Sequence, residues 1–407
     1  MKIKVNSEIG KLKKVLLHRP GEELLNLTPD NLERLLFDDI PYLELAQKEH
    51  DEFSGILRAN GVKVFYIENL VAEAIEQQEA KQEFISTFVE EAIETNDKIV
   101  KKAEAKKLLH DYLWNIKDNK ELVDLTIAGI RRNEIKEIEV LDDYFFIADP
   151  LPNLYFQRDP FASIGNGASI NHMASVTRNR ETLYAHIMFK YHPEFKDNEI
   201  PSWYDRKETT SIEGGDQLII NDKTLMIGIS QRTQEESIIK LAKRIFKDPN
   251  NNFETIYGFD IGKSRAYMHL DTVFTMVDYD KFSVHPEAIN EKMHVKIFKK
   301  EGSEVVVEDN QDKTLKEILA QATGNDNVTL IECGGGDPIA ALREQWNDGA
   351  NTLAIAPGEV IVYSRNPVTN KLLEENGVKI HVMSSSELSR GRGGPRCMSM
   401  PLEREDI

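Results

Sequence analysis

Cys397 lies in SRGRGGPRCMSMP (389–401), where Arg390, Arg392 and Arg396 stand close by in the chain. Cations lower a thiol pKa from its free value of about 8.5, and the thiolate is the reactive form. Gly391, Gly393 and Gly394 let backbone approach closely and let the loop move. A lone cysteine is more often a buried structural group. A loop of glycine and arginine is a poor place for one, so Cys397 reads as a reactive thiol. Cys333 ends the apolar run 328–331 with no cation beside it and reads as structural.

Other polar groups could work with such a thiol. His269 and Asp271 form His-Leu-Asp in YMHLDTVFTMV (267–277). On a strand, alternation would put both side chains on one face. A hydrogen-bonded strand edge would look the same, and a metal site would need a third ligand that is not obvious nearby. Glu213 and Asp216 lie in IEGGDQ, where the glycines allow a tight turn that exposes the acids. Taken alone, a plain turn explains that motif as well. Arg158 and Asp159 precede a proline and could be a turn with an internal ion pair.

Together these groups have a chemical logic. A guanidinium spreads positive charge over a planar fork of N–H donors. Carboxylates can read that fork bidentately and fix its plane. A thiolate can attack the central carbon, and a histidine can protonate the leaving nitrogen and then activate water. No Walker A sequence occurs, nor a G-x-G-x-x-G between strand and helix, so nucleotide binding has no support.

The elements that must position these residues fall into three zones. Residues 1–70 read as strand, loop, helix (42–59) and strand (62–67). From 62 to 149 there is no proline and a single glycine, Gly129. Within it, Phe84, Phe88 and Ile93, then Leu108, Leu109, Tyr112 and Leu113, recur at helical spacing, so 71–140 is expected to be a compact all-helical insertion. Beyond about 140, short strands and glycine-rich turns return. LLHRP (16–20), YFQRDP (155–160), GISQRT (228–233) and VYSRNP (362–367) repeat an apolar strand ending in arginine. IEGGD (212–216) is echoed by IECGGGD (331–337). Such echoes fit a circular set of similar modules with arginines gathered at one end.

Composition bounds the rest. A chain of 407 residues, 40% hydrophobic and 29% charged, is that of a globular protein with a sizeable core. A formal net charge of -18 argues against nucleic acid or an anionic membrane as partner. Two cysteines exclude a disulfide scaffold and a thiolate zinc cage. Without an apolar signal region or a run of 18 apolar residues, a cytoplasmic location is expected.

LFDDIPYL (36–43), PNLYFQRDPFASIGNG (152–167), Arg-Glu-Thr (180–182), SIEGGD, GISQRT, MHLDTVFTM, VYSRN and GRGGPRCMSMP carry a resemblance. In this order, over essentially the whole chain, they resemble the bacterial arginine deiminase family of the guanidine-modifying, or pentein, superfamily. The resemblance implies an α/β fold, a five-bladed propeller of ββαβ units, with 1–407 as one catalytic domain and 71–140 inserted in it. It implies hydrolysis of free L-arginine to L-citrulline and ammonia. Cys397 would be the nucleophile, His269 the general acid/base, and Glu213 the acid that orients it. Asp159 and Asp271 would grip the guanidinium. Asn153, Arg180 and Arg232 would hold the α-carboxylate, Arg392 would move on binding, and Phe156 and Leu36 would form stem wall and lid. No metal or cofactor is implied, and a dimer or tetramer is. Rivals are an amidinotransferase, an agmatine deiminase and a metal-dependent hydrolase using Glu213, His269 and Asp271. Arg180 and Arg232 argue for a substrate with a free carboxylate, which agmatine lacks.

Overall fold

The computed structural model describes residues 1–262, 268–289, 292–302 and 304–407. Five sheets repeat one order: an antiparallel hairpin, then a third strand parallel to the hairpin's second. In the second sheet Phe161–Ile164 pairs antiparallel with Gly167–Ile170, which pairs parallel with Ser202–Tyr204. The third repeats this with Gln217–Asn221, Thr224–Ile229 and Thr255–Asp260, extended by the hairpin Lys292–Glu301 and Glu304–Thr314. The fourth uses Phe274–Met276, Lys281–Val284 and Thr329–Glu332. The fifth uses Leu353–Ala356, Glu359–Tyr363 and Lys379–Met383. In the first, Leu12–Leu17 pairs parallel with Lys63–Tyr66 and antiparallel with Met400–Arg404, so both ends of the chain share a sheet.

A parallel third strand requires a crossover, and helices supply it. Leu43–Ala59, Glu181–Tyr191, Glu235–Ile245, Leu315–Thr323 and Pro367–Glu375 are those helices. Glu235–Ile245 shows why they form. Glu235 and Glu236 stand in its first turn and Lys243 and Arg244 in its last, matching the helix dipole, while Ile238, Leu241, Ala242 and Ile245 bury one face.

Four helices, Ile67–Ala74, Gln78–Glu94, Lys102–Trp114 and Asn119–Ala128, follow the first sheet. Phe84, Phe88, Ile93, Leu109 and Leu113 are all buried, as their spacing predicts. The Phe84 ring meets Tyr184 of Glu181–Tyr191 edge-on at 5.6 Å.

Several local expectations are corrected. The stretch 71–140 is not all helical, because its last helix ends at Ala128 and Ile130–Arg131 pairs as a strand with Phe146–Ala148. Ile67 begins a helix and does not end a strand. Residues 152–155 form a 3-10 turn, so YFQRDP is not a strand end. The other three arginine echoes do close the middle strands of the first, third and fifth sheets. Their arginines scatter, however. Arg19 binds Asp51, Arg232 faces Glu213, and Arg365 donates to Ser389. The glycine echo also splits: IEGGD precedes a hairpin, whereas IECGGGD follows a third strand and its Asp337 caps Pro338–Trp346.

Candidate active site

His269 is not on a strand. It is the N-cap of the short helix Leu270–Val273. Asp216 bends the chain there by accepting the Leu270 N–H at 2.8 Å, and Thr272 closes the turn on the His269 carbonyl. His269 and Asp271 therefore do not share a strand face: His269 lines a small cavity, and Asp271 lies beside the Cys397 thiol, with Oδ2 3.5 Å from Sγ. The His269 ring lies against the backbone of Gly215, where a Cβ would stand 2.6 Å from Nδ1. Gly214 is equally constrained, since a Cβ there would meet the Arg158 carbonyl at 1.9 Å. The two glycines of IEGGD therefore make room for close packing around the histidine.

Nε2 of His269 bonds Glu213 Oε2 at 2.8 Å, and Nδ1 faces Asp159 Oδ1 at 3.8 Å. Burial disfavours the charged ring, but Asp159, the Glu213 hydrogen bond and Asp216 outweigh it and raise the pKa to about 9. His269 is thus an imidazolium at neutral pH, a proton donor in waiting. Glu213 is held far below the usual carboxylate range. Burial opposes this, and Arg232 and His269 override it.

Cys397 sits in the turn just before Met400–Arg404 and is 7% exposed. Asn351 clamps it. Its Oδ1 accepts the Cys397 N–H at 3.2 Å while its Nδ2 donates to the Asp271 carbonyl at 3.1 Å. The thiol Sγ lies 3.5 Å from Asp271 Oδ2. The expectation of a cation-depressed thiol is corrected. Arg390 turns away to Asp39 and Glu387, and Arg392 stacks 3.7 Å over Trp346 and faces Asp38 at 3.5 Å. Of the three, Arg396 favours the thiolate. Burial, Asp271, Asp159 and Asp348 prevail and push the pKa well above its ordinary value.

Asp159 and Asp271 share one design. Asp159 Oδ2 accepts from Arg178 at 3.0 Å, and Asp271 Oδ2 accepts from Arg396 at 2.8 Å. Both Oδ1 atoms are buried with no hydrogen-bond partner among the described residues. Each carboxylate therefore keeps one oxygen without a donor; Asp159 lines the same cavity as His269 and Asp271 does not. An orphaned buried acceptor is costly, and an N–H donor would relieve it.

Asp159, His269 and Cys397 line a cavity of about 40 Å³. Asn153, Phe156, Leu36, Arg232 and Arg392 line it too. Arg180 does not. Its Nη2 donates to the Asp149 carbonyl at 2.9 Å, and its guanidinium lies over Phe88. Arg178 lines the cavity in its place, so the sequence reading missed by two positions. On the short helix Val176–Asn179 a two-residue step turns a side chain to the opposite flank. Asn351 and Asp348 were also missed, because neither lies in a motif with a chemical signature. The cavity is far smaller than an ordinary ligand pocket. Leu36 and Arg392 both hold left-handed backbones (φ 55° and 61°), unusual for residues with a Cβ. Arg392, Asp38, Met268 and Thr272 separate this cavity from an outer one of about 660 Å³.

A model of the arginine deiminase family matches residues 33–404. The chain belongs to the arginine deiminase family. The arginine deiminase of Clostridium perfringens (strain SM101 / Type A) is 53% identical over 414 aligned positions, covering 100% of this chain and 98% of the relative. Among solved structures, an amidinotransferase of the saxitoxin pathway from Microseira wollei superposes with a TM-score of 0.58 at 16% identity, covering 100% of this chain and 98% of the other. A dimethylarginine dimethylaminohydrolase in adduct with S-methyl-L-thiocitrulline gives 0.51 at 12% identity, covering 96% and 99%. The chain thus shares its α/β fold with both of these proteins.

Proposed function

We propose that this protein hydrolyses free L-arginine to L-citrulline and ammonia. One observation carries the reading: an orphaned Asp159 oxygen, a thiol and an imidazolium line one buried cavity, and Asp271 stands behind the thiol with Oδ2 3.5 Å from Sγ and Oδ1 without a donor. The free Oδ1 atoms of Asp159 and Asp271 accept N–H groups of the substrate guanidinium. Its positive charge offsets the carboxylates that keep Cys397 protonated. The thiol then loses its proton to solvent and Sγ attacks Cζ. His269 donates its proton to the departing nitrogen, and ammonia leaves with a thiouronium remaining on Cys397. His269, now neutral, takes a proton from water as the hydroxyl adds to Cζ. The C–S bond breaks, the hydroxyl proton passes to solvent as the carbonyl forms, citrulline leaves and the thiolate is restored. Glu213 holds the ring through both transfers.

Arg232, Asn153 and Arg178 are the groups best placed for the α-carboxylate. Phe156 serves as stem wall and Leu36 as lid. Arginine needs more room than the closed cavity provides, so Leu36 and Arg392 shift on entry. Arg392 leaves the Trp346 face as it does so.

One observation favours a metal-dependent reading. Ligand atoms of Asp159, Glu213 and His269 lie within 4.8 Å of one another. Arg178 and Arg232 beside them oppose a second positive charge. Full activity in a chelator with loss on thiol alkylation supports the cysteine reading; the reverse supports the metal. The direct test incubates the protein with arginine alone and assays citrulline and ammonia, beside Cys397→Ala. The amidinotransferase alternative predicts turnover only when an acceptor amine is added.

At the level of the fold, we propose that the five sheets close into a five-bladed propeller. The pairing of Met400–Arg404 with Leu12–Leu17 supports this, because it joins the last segment to the first module. In this reading 1–407 is one domain, 71–140 is an insertion in it, and the assembly is a cytoplasmic dimer or tetramer. Sedimentation tests the last point.

A further inference from the structure

Asp271 is held from behind by Arg396 and, through it, by Glu8, a buried residue outside every motif. Arg396 is 1% exposed and donates from Nη1 to Asp271 Oδ2 at 2.8 Å. The rest of its fork is occupied by Glu8, with Nε on Oε2 and Nη2 on Oε1, each at 3.0 Å. Glu8 is itself fixed. Its backbone N–H donates to the Ile219 carbonyl at 2.7 Å, and Oε1 accepts the Ile219 N–H at 3.1 Å. Arg396 Nη2 also reaches the Gln217 carbonyl at 2.9 Å. The N-terminal segment, the third sheet and the Cys397 turn are thereby tied at one point.

We infer that Glu8 and Arg396 are a positioning pair that fixes which oxygen of Asp271 stays free for the guanidinium and sets the charge around Cys397. The inference rests on the arginine reading above. A bidentate Glu–Arg fork permits one orientation of the guanidinium plane. With that plane fixed, Nη1 meets Oδ2, and Oδ1 is left without a donor. Stability alone does not require such a pair, since apolar replacements of buried ion pairs are often neutral or better. Three buried arginines, Arg158, Arg396 and Arg404, act on Glu8. Burial raises the Glu8 carboxyl, but these arginines outweigh it and hold the pKa at about 2. Glu8 is therefore charged at neutral pH.

The test compares Glu8→Gln and Arg396→Lys with the parent. Two readouts are used: arginine turnover, and the pH dependence of iodoacetamide labelling of the Cys397 peptide without arginine. Glu8→Gln removes an anion and frees the fork. It is expected to lower kcat/KM about 100-fold and to shift the Cys397 labelling curve to lower pH. Arg396→Lys keeps the charge but loses the fork, so it should lose similar turnover with little shift in labelling. Glu8→Gln with turnover within twofold of the parent and an unmoved labelling curve would overturn the inference. So would loss of the cooperative thermal transition in both variants, which assigns the pair to the fold. Labelling that shifts as expected, in a parent that leaves arginine untouched, would sink the substrate while the pair stands.

Discussion

Cys397 and His269 start from inverted protonation. The thiol is pushed up by burial and three carboxylates, while the imidazole is held as a cation up to about pH 9. Attack requires a thiolate beside an imidazolium, so the competent form is scarce until a cation arrives. Labelling of Cys397 in the free protein should accordingly be slow at pH 7 and still rising at pH 9. Asp348 is a buried carboxyl whose Oδ2 has no hydrogen-bond partner among the described residues. Burial raises its pKa to about 7. Asp348→Asn removes a neighbouring anion, so labelling at pH 8 should become faster; an unchanged rate would exclude Asp348 from the thiol's surroundings. Gly215→Ala probes the histidine. The added methyl displaces the ring, and a shift of about 1 Å costs on the order of 100-fold in kcat. Single-turnover kinetics at saturating arginine would read it.

Among the elements, what the sequence revealed depended on local chemistry. Periodicity located the crossover helix 43–59 and the helices of 71–140, because one face of each is buried and alternation at 3.6 residues survives in the sequence. His-Leu-Asp was read as a strand because its three residues cannot distinguish alternation from a single helical turn. The deciding group, Asp216, lies far away in the chain. Arg178 and Arg180 differ in role through packing that no motif records. Glu8 carried no signal at all, for its partner is 388 positions distant. Another long-range cluster joins the strand Leu12–Leu17 to the helices. His18 bonds Glu68 at 2.9 Å and Glu23 at 3.1 Å, all buried. Burial disfavours its charge, but the two carboxylates win and raise the pKa to about 10. An unfolded histidine titrates near about 6.5. The stability this provides is therefore complete below about 6.5. It is lost progressively as pH rises through the folded value of about 10. The Tm of the parent should fall between pH 7 and 10, and His18→Gln should flatten that slope. Parallel slopes in the two proteins would remove His18 from the account.

For the whole molecule, the repeated hairpin–helix–strand order explains why the site residues are so dispersed in sequence. Asp159 precedes the second sheet, Glu213 the third and Asp271 the fourth, while Cys397 precedes the strand that completes the first. Each module thus delivers one or two groups from its entry turn. The strand–arginine echoes reflected the modules correctly in three cases, but the arginines themselves do not converge. The net charge of -18 has a kinetic consequence as well. A cationic substrate is drawn to such a surface, and screening weakens the attraction. Raising salt should lower kcat/KM for arginine and leave kcat nearly constant; a salt-independent kcat/KM would show that the charge serves solubility alone.

The central claim is that Cys397 attacks free arginine within this cavity. Mass spectrometry of the protein quenched in acid during turnover tests it most directly. The account predicts a mass increase on the Cys397 peptide equal to arginine minus ammonia, absent in Cys397→Ala, with citrulline and ammonia formed in equal amounts by the parent. Citrulline formation undiminished in Cys397→Ala would contradict it.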